Sequence, residues 1–360
     1  MISVIIPTYN RCQLLGRAIE SVRRQTIQEE REIIVVDDAS TDETRQYVEG
    51  LKDEVIYIRN PENKGACYSR NEGLKTAKGE CVAFLDSDNY WDEGFLENRR
   101  EYINAGCDLA AGRILVLEES EGQEKRTVVP EEPLEVLQDT DRFMRTMLIH
   151  NVIDTNSALM KREAVQKIGG FDPEQKRFQD WEFFLHLLTV PDVRYIFLDN
   201  ALVNNQRGED SISYRQELIW PSTMRIFRKY IGLYEQYDFV AEKIFHMLLD
   251  PAVDLDAQSR WEDLRPIAEQ RADMEELFCR CFRMYTKERQ ERQQAENLNG
   301  LYRCEDEKKE NRIRELEAAL DQKKWGRIGS EIIKTIRTRK KLIEYSDEDG
   351  IEKKNGKSEK

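Results

Sequence analysis

Short apolar runs, mostly β-branched, recur through the first hundred residues: Ile2 to Ile6, Ile33 to Val36, Val55 to Ile58 and Cys81 to Leu85. Their length and composition predict buried strands. Between them Leu14, Leu15, Ala18, Ile19 and Val22 recur at helical spacing. Ala66, Asn71, Leu74 and Ala77 do so more weakly, before Gly79 stops that helix. A β-α-β-α alternation of this kind predicts a parallel sheet with helices on both faces. Ligands in such sheets bind beyond the carboxyl ends of the strands.

From about 106 to 215 the pattern is irregular. A strand is predicted near Leu109 to Leu117, then a polar excursion over 118–133 and a helix from Asp141 to Leu148. A helix over Gln179 to Leu188 and strands at Arg194 to Leu198 and Ala201 to Asn205 follow, so this half reads as α+β and completes the first sheet. Beyond Tyr214 Gly and Pro thin out. Ile219, Met224, Ile226, Phe227 and Tyr230, then Phe245, Met247, Leu248 and Leu249, keep helical spacing and predict a helical appendage over 216–285. Residues 286–345 read as long charged and amphipathic helices. Within 288–324 dense charge runs carry only a sparse stripe of Leu298, Leu301, Ile313, Leu316 and Leu320, a candidate homo-oligomer contact. The polar tail, 346–360, is predicted to be disordered.

Charge narrows the function classes. The 360 residues hold 56 Lys+Arg against 70 Asp+Glu, a formal net charge of −14, so the broad basic footprint of a nucleic-acid binder is missing. Seven scattered cysteines, none spaced C-x-x-C, predict a reduced, cytoplasmic setting. His150, His186 and His246 are too far apart for a histidine metal cluster, so oxygen ligands are expected for any metal. Pro7 interrupts the first apolar run, so no signal peptide is expected, and no run is long enough to span a bilayer.

The strongest chemical signal is Val82-Ala83-Phe84-Leu85-Asp86-Ser87-Asp88-Asn89. An apolar strand delivers two carboxylates to its carboxyl end, and a turn beginning there lets both address one metal-diphosphate. Taken in isolation, the same residues read equally well as a solvated turn that caps the helix starting near Glu93. The neighbouring strand ends change that balance. Strand one ends in Pro7-Thr8-Tyr9-Asn10-Arg11, strand two in Asp37-Asp38-Ala39-Ser40-Thr41-Asp42, and Asn63-Lys64-Gly65 with Arg70-Asn71 stands before the acidic pair.

On those residues the chain resembles the family-2 glycosyltransferases, with the motifs Ser3 to Asn10, Val35 to Ser40, Asn63 to Gly65, Arg70-Asn71 and Asp86-Ser87-Asp88 occurring in order over roughly residues 1–215. The resemblance implies an α/β architecture, the A-type glycosyltransferase fold: a Rossmann-like mixed sheet flanked by helices, here with a C-terminal helical appendage. It implies a nucleotide-sugar-binding half over 1–105 and an acceptor-binding half over 106–215. By the same resemblance Asp38 would meet the nucleotide base, Asp86 the ribose, and Asp88 an Mn²⁺ or Mg²⁺ ion on the diphosphate. Pro7, Thr8, Tyr9, Arg11, Lys64, Gly65, Arg70 and Asn71 complete the expected nucleotide site. For Asp37 the preferred reading is a cap of the helix after Asp42. Arg70 reads equally as a helix-face ion pair or a donor-site cation. Asn89 stands where many members have a third acid.

A second constellation is Gly169-Gly170-Phe171-Asp172, then Gln179-Asp180-Trp181-Glu182-Phe183. A glycine pair allows a tight bend, and the aromatic residues anchor the following helix to the core. The resemblance makes Asp180 the catalytic base, with Gln179 replacing the usual Glu; a helix-capping Asp is the plain alternative. Asp172 reads as a turn residue, with shaping of the acceptor pocket as the alternative, and Arg207 as a candidate phosphate contact where the family often has His. Third, Trp325, Ile328, Ile332, Ile336 and Ile343 share one helical face opposite a basic one, so 323–343 fits an anionic membrane surface or packs on protein.

These features predict an inverting, metal-dependent transferase acting from a nucleotide-diphosphate sugar, expected to be a UDP-sugar, on a sugar or lipid-linked hydroxyl acceptor. It would work in the cytoplasm or at the inner face of the cell membrane, in cell-surface polysaccharide or glycoconjugate synthesis. The rivals are a sugar nucleotidyltransferase, which lacks its Gly-rich loop here, an inactive scaffold, and a polyprenyl-phosphate sugar transferase.

Overall fold

The computed structural model describes residues 1–120, 123–206, 215–249 and 257–271. Arg207, the 288–324 stripe, the 323–343 amphipathic segment and the 346–360 tail therefore lie outside the described residues. Two compact units are present, Met1–Tyr230 and a second beginning at Ile231.

The first unit opens with β1 (Ile2–Thr8), all seven residues of which are buried. The helix α1 (Cys12–Arg23) buries Leu15, Ala18, Ile19 and Val22, the stripe its spacing predicts, and β2 (Arg31–Asp37) follows. Next come α2 (Thr44–Gly50), β3 (Ile56–Arg59), α3 (Ala66–Thr76), β4 (Cys81–Phe84), the short β5 (Tyr90–Trp91) and α4 (Phe95–Asn104). The later half supplies β6 (Leu109–Ser120), β7 (Gln123–Val129), α5 (Leu134–Gln138), α6 (Thr140–Ile149), β8 (Leu159–Lys161), α7 (Arg162–Lys167), α8 (Gln179–Leu188), β9 (Tyr195–Gln206) and α9 (Ile219–Lys229).

Among the described residues these strands form one mixed sheet in the order β3-β2-β1-β4-β8-β6-β9-β5, with β7 paired to β6. The β3-β2-β1-β4 part is parallel, as the alternation predicts. Strand β8 then enters antiparallel between β4 and β6, and β9 runs parallel to β6. Two local expectations change. The polar stretch after residue 118 contains β7, which pairs in register with β6 from Ile114↔Val129 to Ser120↔Gln123. The two strands expected between 194 and 205 are one, β9, with register shifts where it meets Gly112 and Arg113.

One cluster of rings ties the sheet to α8, the helix that carries Asp180. Phe84, at the end of β4, meets Phe171 edge-on with centroids 5.0 Å apart, and Phe171 stacks on Phe183 of α8 at 4.1 Å. Each such pair contributes about 0.5–1.5 kcal/mol beyond its burial. Phe84 lies two residues before Asp86 and Phe183 three after Asp180, so core packing brings the two polar segments to one end of the sheet.

The second unit is helical in its described residues: α10 (Ile231–Gln236), α11 (Val240–Leu249) and α12 (Ala257–Arg271). Tyr234, Ile244, Met247, Leu264 and Ala268 are buried.

Candidate functional site

The carboxyl ends of β1, β2 and β4 lie side by side, because β1 pairs with both of the others. After β2 the Asp38 backbone N–H bonds the Thr8 carbonyl at 2.9 Å. The Asp38 carboxylate is nearly closed off from solvent and accepts from Asn60 Nδ2 at 2.7 Å, Lys64 N at 3.0 Å and Gly65 N at 2.7 Å. It thereby shapes the Asn63-Lys64-Gly65 loop, and Gly65, at φ +88°, turns that loop into α3. Pro7 lies within β1, paired with Val36 of β2. Lys64 spends its backbone N–H on Asp38 and rests its ammonium 4.8 Å from the Tyr68 ring. Thr8 is buried, and among the described residues its Oγ1 has no hydrogen-bond partner, while Tyr9 beside it is 44 % exposed. An unanswered hydroxyl and an open aromatic face at a strand end suit a ligand with a ring and polar groups.

Asp37 does not cap α2. Fully buried, it accepts from Ser40 N at 2.7 Å, from Tyr57 Oη at 2.7 Å and from Arg59. Asp42 instead takes the Thr44 N–H that opens that helix, at 3.0 Å.

The acids after β4 are both charge-paired. Asp88 accepts from Arg11, at the start of α1, and the Asp88 carbonyl accepts from Arg17 at 2.9 Å. Asp86 accepts from Arg70 Nη2 at 2.6 Å, so Arg70 of α3 pairs across the site and not along a helix face. Burial works to raise the Asp86 carboxyl, but Arg70 and the Asn156 amide outweigh it and hold it below the usual range. The Asp88 carboxyl is pushed up, by burial and then by the Asp86 charge, against Arg11.

Arg70 reaches a second partner. Its Nη1 donates to Gln179 Oε1 at 3.2 Å, at the first position of α8, next to Asp180. Asp180 is half-buried and its carboxyl is raised, chiefly by burial, with Asp86 adding to the rise and the Trp181 N–H and Arg70 opposing it. The glycine pair performs the predicted bend: Gly169 and Gly170 sit at φ +75° and +86°. A Cβ on Gly170 would lie 2.4 Å from Asn71 Oδ1. Asn71 clasps the Phe171 backbone with both ends of its amide, donating to its carbonyl at 2.8 Å and accepting from its N–H at 2.9 Å. That makes Asn71 the brace of the bend, with one amide N–H and one oxygen lone pair used on Phe171. Asp172 is a turn residue, accepting from Glu174 N, and also pairs with Arg225 and Lys229 of α9.

The segment between α6 and β8 supplies residues that sequence reasoning did not single out. Asn156 is buried, its Oδ1 accepting from the Asp86 N–H at 2.6 Å and its Nδ2 donating to Asp86 Oδ2 at 3.1 Å and Asp154 Oδ1 at 2.8 Å. The Asp154 carboxyl is raised to about 6, by burial and then by Asp180, against its Asn156 bonds. Asn151 donates to Asp180 Oδ2 at 2.8 Å. The available signal was a polar stretch, Asn151 and then Asp154 to Ser157, set among Val152, Ile153, Ala158 and Leu159.

Among the described residues no three His, Cys, Asp or Glu side chains are gathered to hold a metal ion alone. Mg²⁺ and Mn²⁺ bound with a nucleotide diphosphate need less: one or two carboxylates, with phosphate oxygens and water completing the shell. Asp88, a carboxylate beside Asp86 and paired with the Arg11 guanidinium, is a donor of that chemistry, so the residues present fit such an ion.

Residues 3–169 match the model of the glycosyl transferase family 2. The uncharacterized glycosyltransferase YwdF of Bacillus subtilis is 30 % identical over 226 residues, covering 60 % of this chain and 81 % of that protein. The Escherichia coli protein named UDP-Glc:alpha-D-GlcNAc-diphosphoundecaprenol beta-1,3-glucosyltransferase WfaP is 40 % identical over 104 residues, 29 % of this chain. The chain spans only 41 % of that relative's length. The mannosyltransferase PcManGT of Pyrobaculum calidifontis, solved with GDP-Man and Mn²⁺, superposes with a TM-score of 0.55 at 19 % identity, covering 90 % of this chain and 88 % of that one. The mixed sheet, the acids beyond β4 and these likenesses converge: the chain belongs to glycosyl transferase family 2 and has its A-type fold.

Proposed function

We propose that the protein is an inverting, metal-dependent glycosyltransferase that moves a sugar from a nucleoside-diphosphate sugar to an acceptor hydroxyl. The observation that carries this reading is the Arg70 bridge. One guanidinium bonds both Asp86, an acid suited to the donor, and Gln179, the neighbour of Asp180, which supports a reading with donor and acceptor side by side.

Asp180 is the general base in this reading. Its raised carboxyl brings it closer to the pKa useful near neutral pH, and it takes the proton of the acceptor hydroxyl as that oxygen attacks the anomeric carbon from the face opposite the diphosphate. Arg11 and Arg70 balance negative charge on the donor side, and Asp38, Thr8 and Tyr9 surround the base and ribose. Asp88 would hold the divalent cation, which supplies charge neutralisation for the departing diphosphate. Lys64 and Gly65 hold the Asp38 carboxylate through their backbone N–H groups.

WfaP's name states a UDP-sugar donor and a lipid-diphosphate acceptor. We extend both classes to this chain: a UDP-sugar, and a sugar hydroxyl on a lipid-linked carrier. Attachment to an anionic membrane through 323–343, and self-association through 288–324, belong to this reading on sequence alone. Among the described residues no helix is long and apolar enough to cross a membrane.

The test is a panel of nucleotide sugars with Mn²⁺, Mg²⁺ or chelator, read by donor hydrolysis and by thermal stabilisation. A true donor at 100 times its Kd stabilises by about 2.7 kcal/mol, and only with metal present. No stabilisation by any nucleotide sugar in Mn²⁺ overturns the reading.

A further inference from the structure

The candidate base is held from outside its own helix. Asp180 Oδ1 accepts from the adjoining Trp181 N–H at 2.9 Å, a local bond. Oδ2 accepts from Asn151 Nδ2 at 2.8 Å, from a segment 29 residues earlier. Asn151 is itself locked. Its Nδ2 also donates to the Ile153 carbonyl at 2.8 Å, and its Oδ1 accepts from the Ile153 N–H at 3.2 Å. The Ile153 N–H can bond only the amide oxygen, so the amide nitrogen is the group left to face Asp180. The segment behind it is anchored in turn: Val152 and Ile153 are buried, and Asn156 ties the same turn to Asp86.

We propose that Asn151 is a positioning residue for glycosyl transfer, its amide braced on the Ile153 backbone and fixing the Asp180 carboxylate so that its remaining lone pairs face the acceptor hydroxyl. The inference rests on Asp180 being the base. With one oxygen bound to Trp181 N and the other to Asn151, the carboxylate has no freedom to turn about its Cβ–Cγ bond. Proton abstraction depends steeply on that aim.

The charged and titratable groups around Asp180 set the sign of the pH effect. Arg70, from α3, favours the ionised carboxylate; Asp86, beyond β4, and Asp154, from the Asn151 segment, disfavour it. Cys67, also on α3, is within electrostatic reach, and its thiol is pushed up to about 12, chiefly by burial, so it stays neutral. Asn151 donates to the ionised form and adds to the favourable side. Its removal therefore raises the pH at which the base loses its proton.

The experiment compares kcat and KM against pH for the full chain and the variants Asn151→Ala, Asn151→Asp and Asp180→Asn, with donor binding measured by calorimetry. Asn151→Ala is expected to lower kcat by roughly ten- to a hundredfold, leave donor affinity unchanged, and displace the acid limb to higher pH. Asn151→Asp, matched in size and adding a negative charge, displaces that limb further. If both variants bind donor as the parent does and keep its kcat and its acid limb while Asp180→Asn is inactive, the inference on Asn151 is overturned and the base stands. If Asp180→Asn stays active, the base assignment itself fails and Asn151 loses its role with it.

Discussion

Arg11 and Asp88 form an ion pair that joins the start of α1 to the acid beyond β4, across 77 residues of sequence. Both side chains are partly exposed, and in the proposed reading a divalent cation takes the carboxylate while a diphosphate takes the guanidinium. Metal and nucleotide then assist one another, because each displaces a partner that the other wants, and such coupling is reciprocal.

Arg11→Gln is therefore expected to tighten Mn²⁺ binding in the absence of nucleotide and to weaken UDP binding in its presence. A half-exposed pair is worth at most about 1 kcal/mol, so the gain is up to about fivefold. Calorimetric titration of Mn²⁺ with and without UDP reads both arms; equal Mn²⁺ affinity in parent and variant refutes the exchange.

Asp88→Ala is expected to abolish turnover and metal-dependent donor binding together, because in the proposed reading Asp88 is the carboxylate that would hold the ion on the diphosphate. Unchanged donor affinity in Mn²⁺ would move the metal site elsewhere.

Asp180→Asn keeps the shape of the base and its Trp181 contact. Donor and metal binding should persist while turnover falls by roughly 10²- to 10⁴-fold. In the parent, activity should disappear as pH falls through a value above the ordinary aspartate pKa of about 3.9, since burial raises this carboxyl in the folded protein. A variant with more than a tenth of parental transfer contradicts the assignment.

Asp154 carries a carboxyl raised to about 6 in the folded state, so the native protein holds its proton over a range where the unfolded chain has released it. Folding stability from this group is thus full below about pH 4 and is lost as pH rises through 6. Asp154→Asn keeps an oxygen for Asn156 and removes that loss. It should melt about 1–3 kcal/mol more stably than the parent at pH 8, with the gain vanishing at pH 4. Denaturant titrations at the two pH values decide, and an equal difference at both rules out ionisation as the cause.

The strands β1 to β4, helices α1 and α8, the glycine bend and the order of the acidic motifs were legible in the sequence because each is local. A buried strand shows its apolar run, a helix its spacing, and Gly169-Gly170 its need for positive φ within a few residues. Tertiary structure alone decided the rest. Strand β8 has three residues, too few for a periodic signal, yet it carries the sheet from β4 to β6. Asn71 clasps the Phe171 backbone a hundred residues away, a pairing its position in the sequence does not reveal, because the bend needs both its N–H and its carbonyl satisfied. Asn151 and Asn156 have no spacing that marks them, and their distant partners, Asp180 and Asp86, stand on the segments that the Phe84, Phe171 and Phe183 rings pack together. Sequence thus determined which chemical groups stand at the strand ends. Hydrogen bonds and ion pairs between distant segments, chosen by packing, decided which of those groups face one another.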